Sequence, residues 1–336
     1  MNSTVQNTSP HRSVLLSEVL GAVAPVDGEV YVDGTFGAGG YSRAILGAAN
    51  CKVIGIDRDP RALAIGAKME AEFSGRLSII NGCYGDMESL LNDAGVEKVN
   101  GVVLDIGVSS MQIDEAERGF SFMNDGPLDM RMSQSGQSAG DVVNTYDAED
   151  LANIFYKYGE EKRSRRIASA IVEARAEKPF TRTLELADLV AKTVGIKRNK
   201  KGKVKHPATK TFQALRIYVN AELDELEKGL AAAEAVIGEG GRLVVVSFHS
   251  LEDRIVKNFI IDRSGSRPKG SRYLPETADE GPQATFLMGK KGAIKPGKIE
   301  EAENPRARSS RLRFGVRTSA PSWPKADGFN SAMGEA

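Results

Sequence analysis

Short apolar runs alternate with amphipathic stretches through the first third of the chain. Segments 29–35, 52–57, 77–82 and 100–107 are rich in Val and Ile and read as strands. Between them, 40–48, 60–73 and 86–94 carry apolar residues at helical spacing. Such alternation predicts a parallel sheet with right-handed crossovers, whose ligands bind beyond the carboxyl ends of the strands. After residue 112 the rhythm breaks. A Gly/Ser/Gln-rich connection at 133–140 is followed by helical patterns at 148–158, 164–176 and 183–194, with no buried-strand run before 206. Then Phe212, Leu215, Val219, Leu223, Leu226, Leu230, Ala233 and Ile237 recur at three- and four-residue intervals. They predict one helix over 208–237 with a single continuous core-facing stripe. Glycines at 238–241 end it, 242–248 supplies a fifth strand, and Ser250 with Asp253 predicts a capping box for the next helix. Two last strands fall at 284–289 and 311–317, separated from the rest by a mobile loop at 263–283. The expected organisation is a discontinuous α/β domain, 1–112 and 207–318, holding an inserted, mainly helical domain at 113–206. The tail, 319–336, is expected to be disordered.

Composition narrows the class. The chain has 336 residues, 41% of them hydrophobic and 27% charged, the profile of a globular protein with a sizeable core. Cys51 and Cys83 are too few for a disulfide framework and lie in no metal-ligand spacing, so two buried thiols in a reducing compartment and no metal are expected. The N-terminus lacks a basic stretch followed by an apolar run, and no apolar run approaches the ~20 residues that span a bilayer. A cytoplasmic location without membrane association is the expectation. Net charge is zero, from 45 basic and 45 acidic side chains, but the cations are clustered. Lys197, Arg198, Lys200, Lys201, Lys203 and Lys205 stand in one acid-free stretch, and further clusters lie at 162–166 and 306–313. Three clusters in a neutral chain point to a polyanionic partner.

The candidate chemistry sits at the strand ends. Gly34, Gly37, Gly39 and Gly40 follow the first strand and precede a helix, where glycine permits positive φ and close approach of backbone to a ligand. The strict dinucleotide fingerprint fails, because its third glycine position holds Ser42. Asp57 ends the second strand, where a carboxylate can accept both hydroxyl hydrogens of an adenosine ribose; an acid at a helix start is its other reading. Tyr84, after the third strand, offers an aromatic face to adenine. Asp105 ends the fourth strand and faces the cleft. An acid at strand end after strand end favours S-adenosylmethionine over NAD.

With these residues in view, the chain resembles the RsmH (MraW) family of bacterial small-subunit rRNA cytosine-N4 methyltransferases. The matching blocks include His11-Arg12-Ser13-Val14-Leu15-Leu16, residues 33–40, Ile56-Asp57-Arg58-Asp59-Pro60 and Leu104-Asp105-Ile106-Gly107-Val108-Ser109-Ser110. Others are Glu117-Arg118-Gly119-Phe120-Ser121-Phe122, His206-Pro207-Ala208-Thr209-Lys210-Thr211-Phe212-Gln213-Ala214 and Ser247-Phe248-His249-Ser250-Leu251-Glu252-Asp253-Arg254. The resemblance implies a class I S-adenosylmethionine-dependent methyltransferase fold, Rossmann-like and mostly parallel, with a helical substrate domain inserted. It implies cofactor contacts at Gly39, Gly40, Tyr41, Asp57, Tyr84, Asp105 and Gln112. The family usually has histidine at the Tyr41 position and often phenylalanine at the Tyr84 position. The implied substrate is the exocyclic N4 of a cytosine in 16S rRNA, within the small ribosomal subunit, and a homodimer is left open.

Attack by N4 on the methyl group needs an acceptor for an amine hydrogen. Asp105 is the first candidate and His249 the second, although His249 reads equally well as a polar residue at a helix start. Thr209, Gln213, Arg216 and Asn220 form a polar stripe suited either to a base pocket or to a solvated or interdomain face. The stretch 197–205 is the candidate phosphate contact. Two rival functions stay open at this point, an NAD-linked oxidoreductase and a non-catalytic rRNA-binding assembly factor.

Overall fold

The computed structural model describes residues 13–195, 206–266 and 282–324. They form two compact units, one built from 13–57, 62–106 and 226–324, the other from 58–61 and 107–225. In chain order the elements are α1 (Leu16–Val23), β1 (Val30–Asp33), α2 (Gly40–Ala48), β2 (Lys52–Asp57), α3 (Pro60–Phe73), β3 (Leu77–Asn81), α4 (Met87–Asp93) and β4 (Val99–Asp105). There follow α5 (Ser110–Asp114), α6 (Ala139–Thr145), α7 (Ala148–Gly159), α8 (Ser164–Glu177), α9 (Thr183–Val194), α10 (Ala208–Val219) and α11 (Glu222–Val236). The last are β5 (Ile237–Ser247), α12 (Ser250–Arg263), β6 (Phe286–Met288), α13 (Lys298–Glu303) and β7 (Arg311–Arg317).

All seven strands lie in the first unit, in the order β3-β2-β1-β4-β5-β7-β6. β1 through β5 run parallel, and β7 enters antiparallel to both β5 and β6. This is the mostly parallel Rossmann-like sheet that the alternating pattern predicts. Side chains alternate between its two faces. Tyr31, Val103, Val244 and Val246 pack on one side with Val19, Ile45 and Met69. Val32, Val102, Leu104, Leu243 and Val245 pack on the other with Met87, Leu230 and Val256. Both faces are therefore buried, as a parallel sheet requires.

The second unit is helical. Phe155, Ile167, Ile171, Leu186, Val190, Phe212 and Leu215 form its core, drawn from α7, α8, α9 and α10.

The single helix expected over 208–237 is two helices. Asn220 ends α10 and Ala221 takes φ 47°, a left-handed conformation that stops the helix. The Asn220 side chain makes the break specific. Its amide donates to Met130 O (2.8 Å) and Arg216 O (2.9 Å), and its oxygen accepts from Met132 N (2.9 Å). The apolar stripe is likewise split. Phe212 and Leu215 serve the helical core, whereas Leu226, Leu230, Ala233 and Ile237 serve the sheet. α6 replaces part of the expected Gly/Ser/Gln-rich connection, opened by a capping box between Ser138 and Asp141. The residues expected as a disordered tail begin anchored. Trp323 donates its indole N–H to Gln283 O (2.8 Å) and stacks on the Arg263 guanidinium at 4.2 Å. Residues 325–336 lie outside the described residues, as does most of the expected loop at 263–283.

Candidate functional site

The glycine turn links β1 to α2 and is held from below by Asp33, which is fully buried. One Asp33 oxygen accepts from Ser42 N (3.2 Å) and Ser42 Oγ (2.7 Å), and the other from Thr35 N (3.4 Å). Burial dominates its titration and pushes the carboxyl up to about 6, although Ser42 and Thr35 donate to the charged form. Gly39 has φ 75°, and a Cβ there would lie 2.7 Å from Met69 Sδ and 2.7 Å from Phe36 Cζ. At Gly40 a Cβ would meet Ser13 Oγ at 2.0 Å. Gly39 needs glycine, from its positive φ and from the protein filling the space behind the turn, whereas the contact at Gly40 is with the rotatable Ser13 hydroxyl alone.

Asp57, at the end of β2, fixes the rim of the same turn by accepting from Gly37 N at 2.7 Å. Its carboxylate is only partly buried. Tyr84 stands directly after β3, beside Gly34, and its ring lies so close to α11 that a Cβ on Gly229 would be 2.3 Å from Cδ2. One side of that ring is thus seated on a glycine, which fixes its plane.

Asp105 ends β4 opposite Val246. Its N–H donates to Thr35 Oγ1 (2.6 Å), tying the strand end to the glycine turn. Oδ1 is shut off from solvent and has no hydrogen-bond partner. Burial, with Asp33 and Glu252 as like charges nearby, raises the Asp105 carboxyl well above the usual range, and the Tyr41 hydroxyl draws it back only in part. Tyr41 has a single hydroxyl proton, which it gives to Val14 O at 2.5 Å. A buried, unpartnered carboxylate oxygen among acids is the place for a cation or a hydrogen-bond donor to bind.

A family model described as the MraW methylase family matches residues 8–318. The chain belongs to that family. It is 57% identical to a protein of Paramagnetospirillum magneticum named Ribosomal RNA small subunit methyltransferase H, covering 94% of this chain and 98% of that one. Proteins of the same name from Rhodospirillum rubrum and Parvibaculum lavamentivorans are 54% and 55% identical. The alignments cover 95% and 96% of this chain and 98% and 94% of theirs.

As a MraW methylase the chain is an enzyme with S-adenosylmethionine as cofactor, and the residues present fit it. The unpartnered Asp105 Oδ1 suits the cationic methionyl end, Asp57 suits the ribose hydroxyls, and the Tyr84 ring suits adenine. Gly39, Gly40, Tyr41, Asp57, Tyr84 and Asp105 all fall in the sheet unit, at the carboxyl ends of β1 to β4 and the start of α2. Tyr41 is buried; its hydroxyl donates to Val14 O and lies close enough to Asp105 to act on that carboxyl, so its side chain braces α2 and also turns a polar group toward Asp105.

Gln112 falls in the helical unit of this MraW methylase. Its oxygen accepts from Ser109 N (3.0 Å), closing the capping box of α5, and its amide donates to Asp59 Oδ2 (2.8 Å). Asp59 is buried and also receives Arg118 Nη1 at 2.9 Å, while Arg118 Nη2 donates to Arg131 O and Met132 O. This polar knot carries no sequence signal beyond the matching blocks themselves, since Asp59 stands 53 and 59 residues from its two partners.

His249 is the N-cap of α12, a role expected for Ser250. Its Nδ1 accepts from Glu252 N (3.4 Å), and Glu252 Oε2 accepts from Phe248 N (2.8 Å) and His249 N (3.1 Å). Asp253, expected in that box, instead receives Arg311 (2.6 Å) and Arg313 (2.7 Å). The cap thus consists of a histidine and a glutamate, a pairing the serine-based capping rule does not search for.

The polar stripe on α10 is consumed internally. Thr209 Oγ1 donates to His206 O, Gln213 reaches Tyr158 O at 3.4 Å, and Arg216 holds Glu222 through two bonds (2.8 and 2.7 Å). Asn220 makes the helix break described above. A cavity of about 280 Å³ lies beside α10, lined by Gln137, Tyr158, Ile217, Tyr218 and Asp224 among others. Lys197, Arg198, Lys200, Lys201, Lys203 and Lys205 lie outside the described residues. Among the described residues no helix is long and apolar enough to cross a membrane.

Proposed function

We propose that this chain transfers a methyl group from S-adenosylmethionine to the exocyclic N4 of a cytosine in 16S rRNA, within the small ribosomal subunit in the cytoplasm. The observation that carries the reading is 54–57% identity, over 94–96% of this chain, to proteins named Ribosomal RNA small subunit methyltransferase H. Membership of a methylase family speaks against both rival functions, the hydride-transfer enzyme and the non-catalytic factor.

S-adenosylmethionine supplies, when bound, an electrophilic methyl group on positively charged sulfur. The chain's own task is to orient and to accept. The N4 amine is a weak nucleophile because its lone pair is delocalised into the ring, so an acceptor for one of its hydrogens localises that pair. Asp105 is the acceptor the geometry supports. Its Oδ1 is unpartnered, and burial gives the carboxylate an unusually strong hold on a proton. A positive charge beside it restores the ionised form. His249 supports the reaction only indirectly, since the Nδ1 lone pair is spent on Glu252 N. Gln112 is assigned to the cofactor region on the family resemblance, held in one orientation by Asp59 and Ser109. The six cations of 197–205 are assigned to RNA phosphates. The target base must be single-stranded or flipped to reach the site.

The test is labelled methyl transfer to small subunits that lack the modification, followed by nuclease digestion and mass spectrometry. N4-methylcytidine at one position is the expected product, and Asp105→Asn should lower its rate by about 10²-fold. A methyl group on another base, or on no RNA at all, refutes the proposal.

A further inference from the structure

The second basic cluster, at 162–166, stands at the turn end of the α7–α8 hairpin in the helical unit. Its four cations differ in what they do. Arg163 is structural: its guanidinium donates to Val194 O, and its N–H is taken by Glu161 Oε1 at 2.9 Å. Lys162, Arg165 and Arg166 are exposed, and none is ion-paired among the described residues. Some exposed cations elsewhere find acids, as in Arg43 with Glu72 (2.7 Å) and Arg182 with Asp125 (2.7 Å), while scattered ones such as Lys68 and Lys257 find none among the described residues; here three unpaired cations fall within five residues. The placement is also unfavourable in itself. Arg165 and Arg166 sit in the first turn of α8, which holds no acid, where the helix dipole repels positive charge. At the same end of the hairpin, in the last turn of α7, Tyr156 is 67% exposed while its neighbour Phe155 is fully buried. Glu160 and Glu161 precede the cluster in the same turn, yet the three cations carry no ion pair among the described residues, and an exposed ring stands at the same end of the hairpin. Unpaired cations and an unpacked ring match what single-stranded nucleic acid needs: phosphate neutralisation and a stacking platform.

We infer that Lys162, Arg165, Arg166 and Tyr156 form a contact surface for single-stranded rRNA, the three cations on phosphates and the tyrosine ring under a base. The inference rests on the RNA reading above but not on the stretch 197–205. All four side chains are solvent-exposed, so replacing them leaves the helical core intact.

The experiment uses the full chain and a labelled single-stranded fragment of small-subunit rRNA, with affinity measured by anisotropy across a salt series. The K162A/R165A/R166A variant should bind at least about ten-fold more weakly at 0.1 M salt, with the slope of log K against log salt shallower by about two. Tyr156→Ala should weaken binding about five-fold or more, and Tyr156→Phe should match wild type, because stacking needs the ring and not the hydroxyl. Melting temperature and S-adenosylmethionine affinity should be unchanged in all variants. A triple variant with wild-type affinity and slope overturns the inference. So does a weakened triple variant accompanied by an unaffected Tyr156→Ala, the pattern of a generic polyanion or acidic-protein contact. The functional reading fails separately, if the wild-type protein transfers no methyl group to RNA.

Discussion

Asp33 is fully buried beneath the glycine turn, and its burden can be measured as a pH dependence of stability. Its carboxyl is raised from 3.8 to about 6 in the folded chain. The folded state therefore binds that proton more tightly than the unfolded state, and between those two values stability rises as pH falls. Above pH 6 the cost of the buried charge is fully present, about 3 kcal/mol for a shift of roughly two pKa units. Lowering the pH from 7.5 to 5 should remove about 1.4 kcal/mol of it. Asp33→Asn cannot titrate and should lack this gain, while losing an acceptor for Ser42 or Thr35 worth about 1 kcal/mol. Asp33 is also one of the like charges that raise Asp105, so the difference between the two proteins includes the relief of Asp105 and should exceed the contribution of Asp33 alone. Urea denaturation of both proteins at pH 7.5, 6 and 5 gives the comparison. If the two stabilities change in parallel across that range, the carboxyl is not carrying a buried charge at neutral pH and the reasoning fails.

Gly39→Ala should cost at least about 2 kcal/mol, from positive φ together with contacts to Met69 and Phe36, and should weaken cofactor binding by displacing the turn; calorimetry measures both. His249→Ala should lose about 1 kcal/mol of stability with the α12 cap, whereas His249→Asn, a good N-cap residue, should keep stability and methyl transfer within a few-fold; a 10²-fold rate loss in the asparagine variant would restore histidine as the proton acceptor. Asp59→Ala should destabilise by about 3–5 kcal/mol by leaving Arg118 buried without its carboxylate, read as a lower denaturation midpoint. Gly229→Ala should push the Tyr84 ring from its seat and raise the cofactor dissociation constant with little change in the rate at saturation, a split that steady-state kinetics resolves.

The sheet unit was legible because its signals are local. β2 and α2 fall on the expected residues, and β1, β3 and β4 differ from them by no more than two at either end. The strand-end carboxylates followed from the same pattern, since a residue that closes a strand in a parallel sheet has its position set by topology. The break at Asn220 was not legible. The apolar spacing through 208–237 is unbroken, and what stops the helix is a set of hydrogen bonds to Met130 and Met132, about ninety residues away in sequence. The Asp59–Gln112–Arg118 knot was hidden for the same reason. Periodicity reports which face a residue turns inward; it carries no information about which distant backbone a polar side chain will meet there.

The sheet order also dictates when the molecule can be finished. β4 pairs with β5, and β5 is made only after residues 106–236 have left the ribosome. During that interval β4 is an open strand edge in an incomplete sheet, exposed to mispairing with other chains. The helical unit meanwhile has every residue of its core in hand once Leu215 has emerged. Its folding thus falls within the gap, and the half-built catalytic sheet waits on it. Slow translation or early termination between 107 and 236 should therefore produce aggregated chains rather than partly active ones.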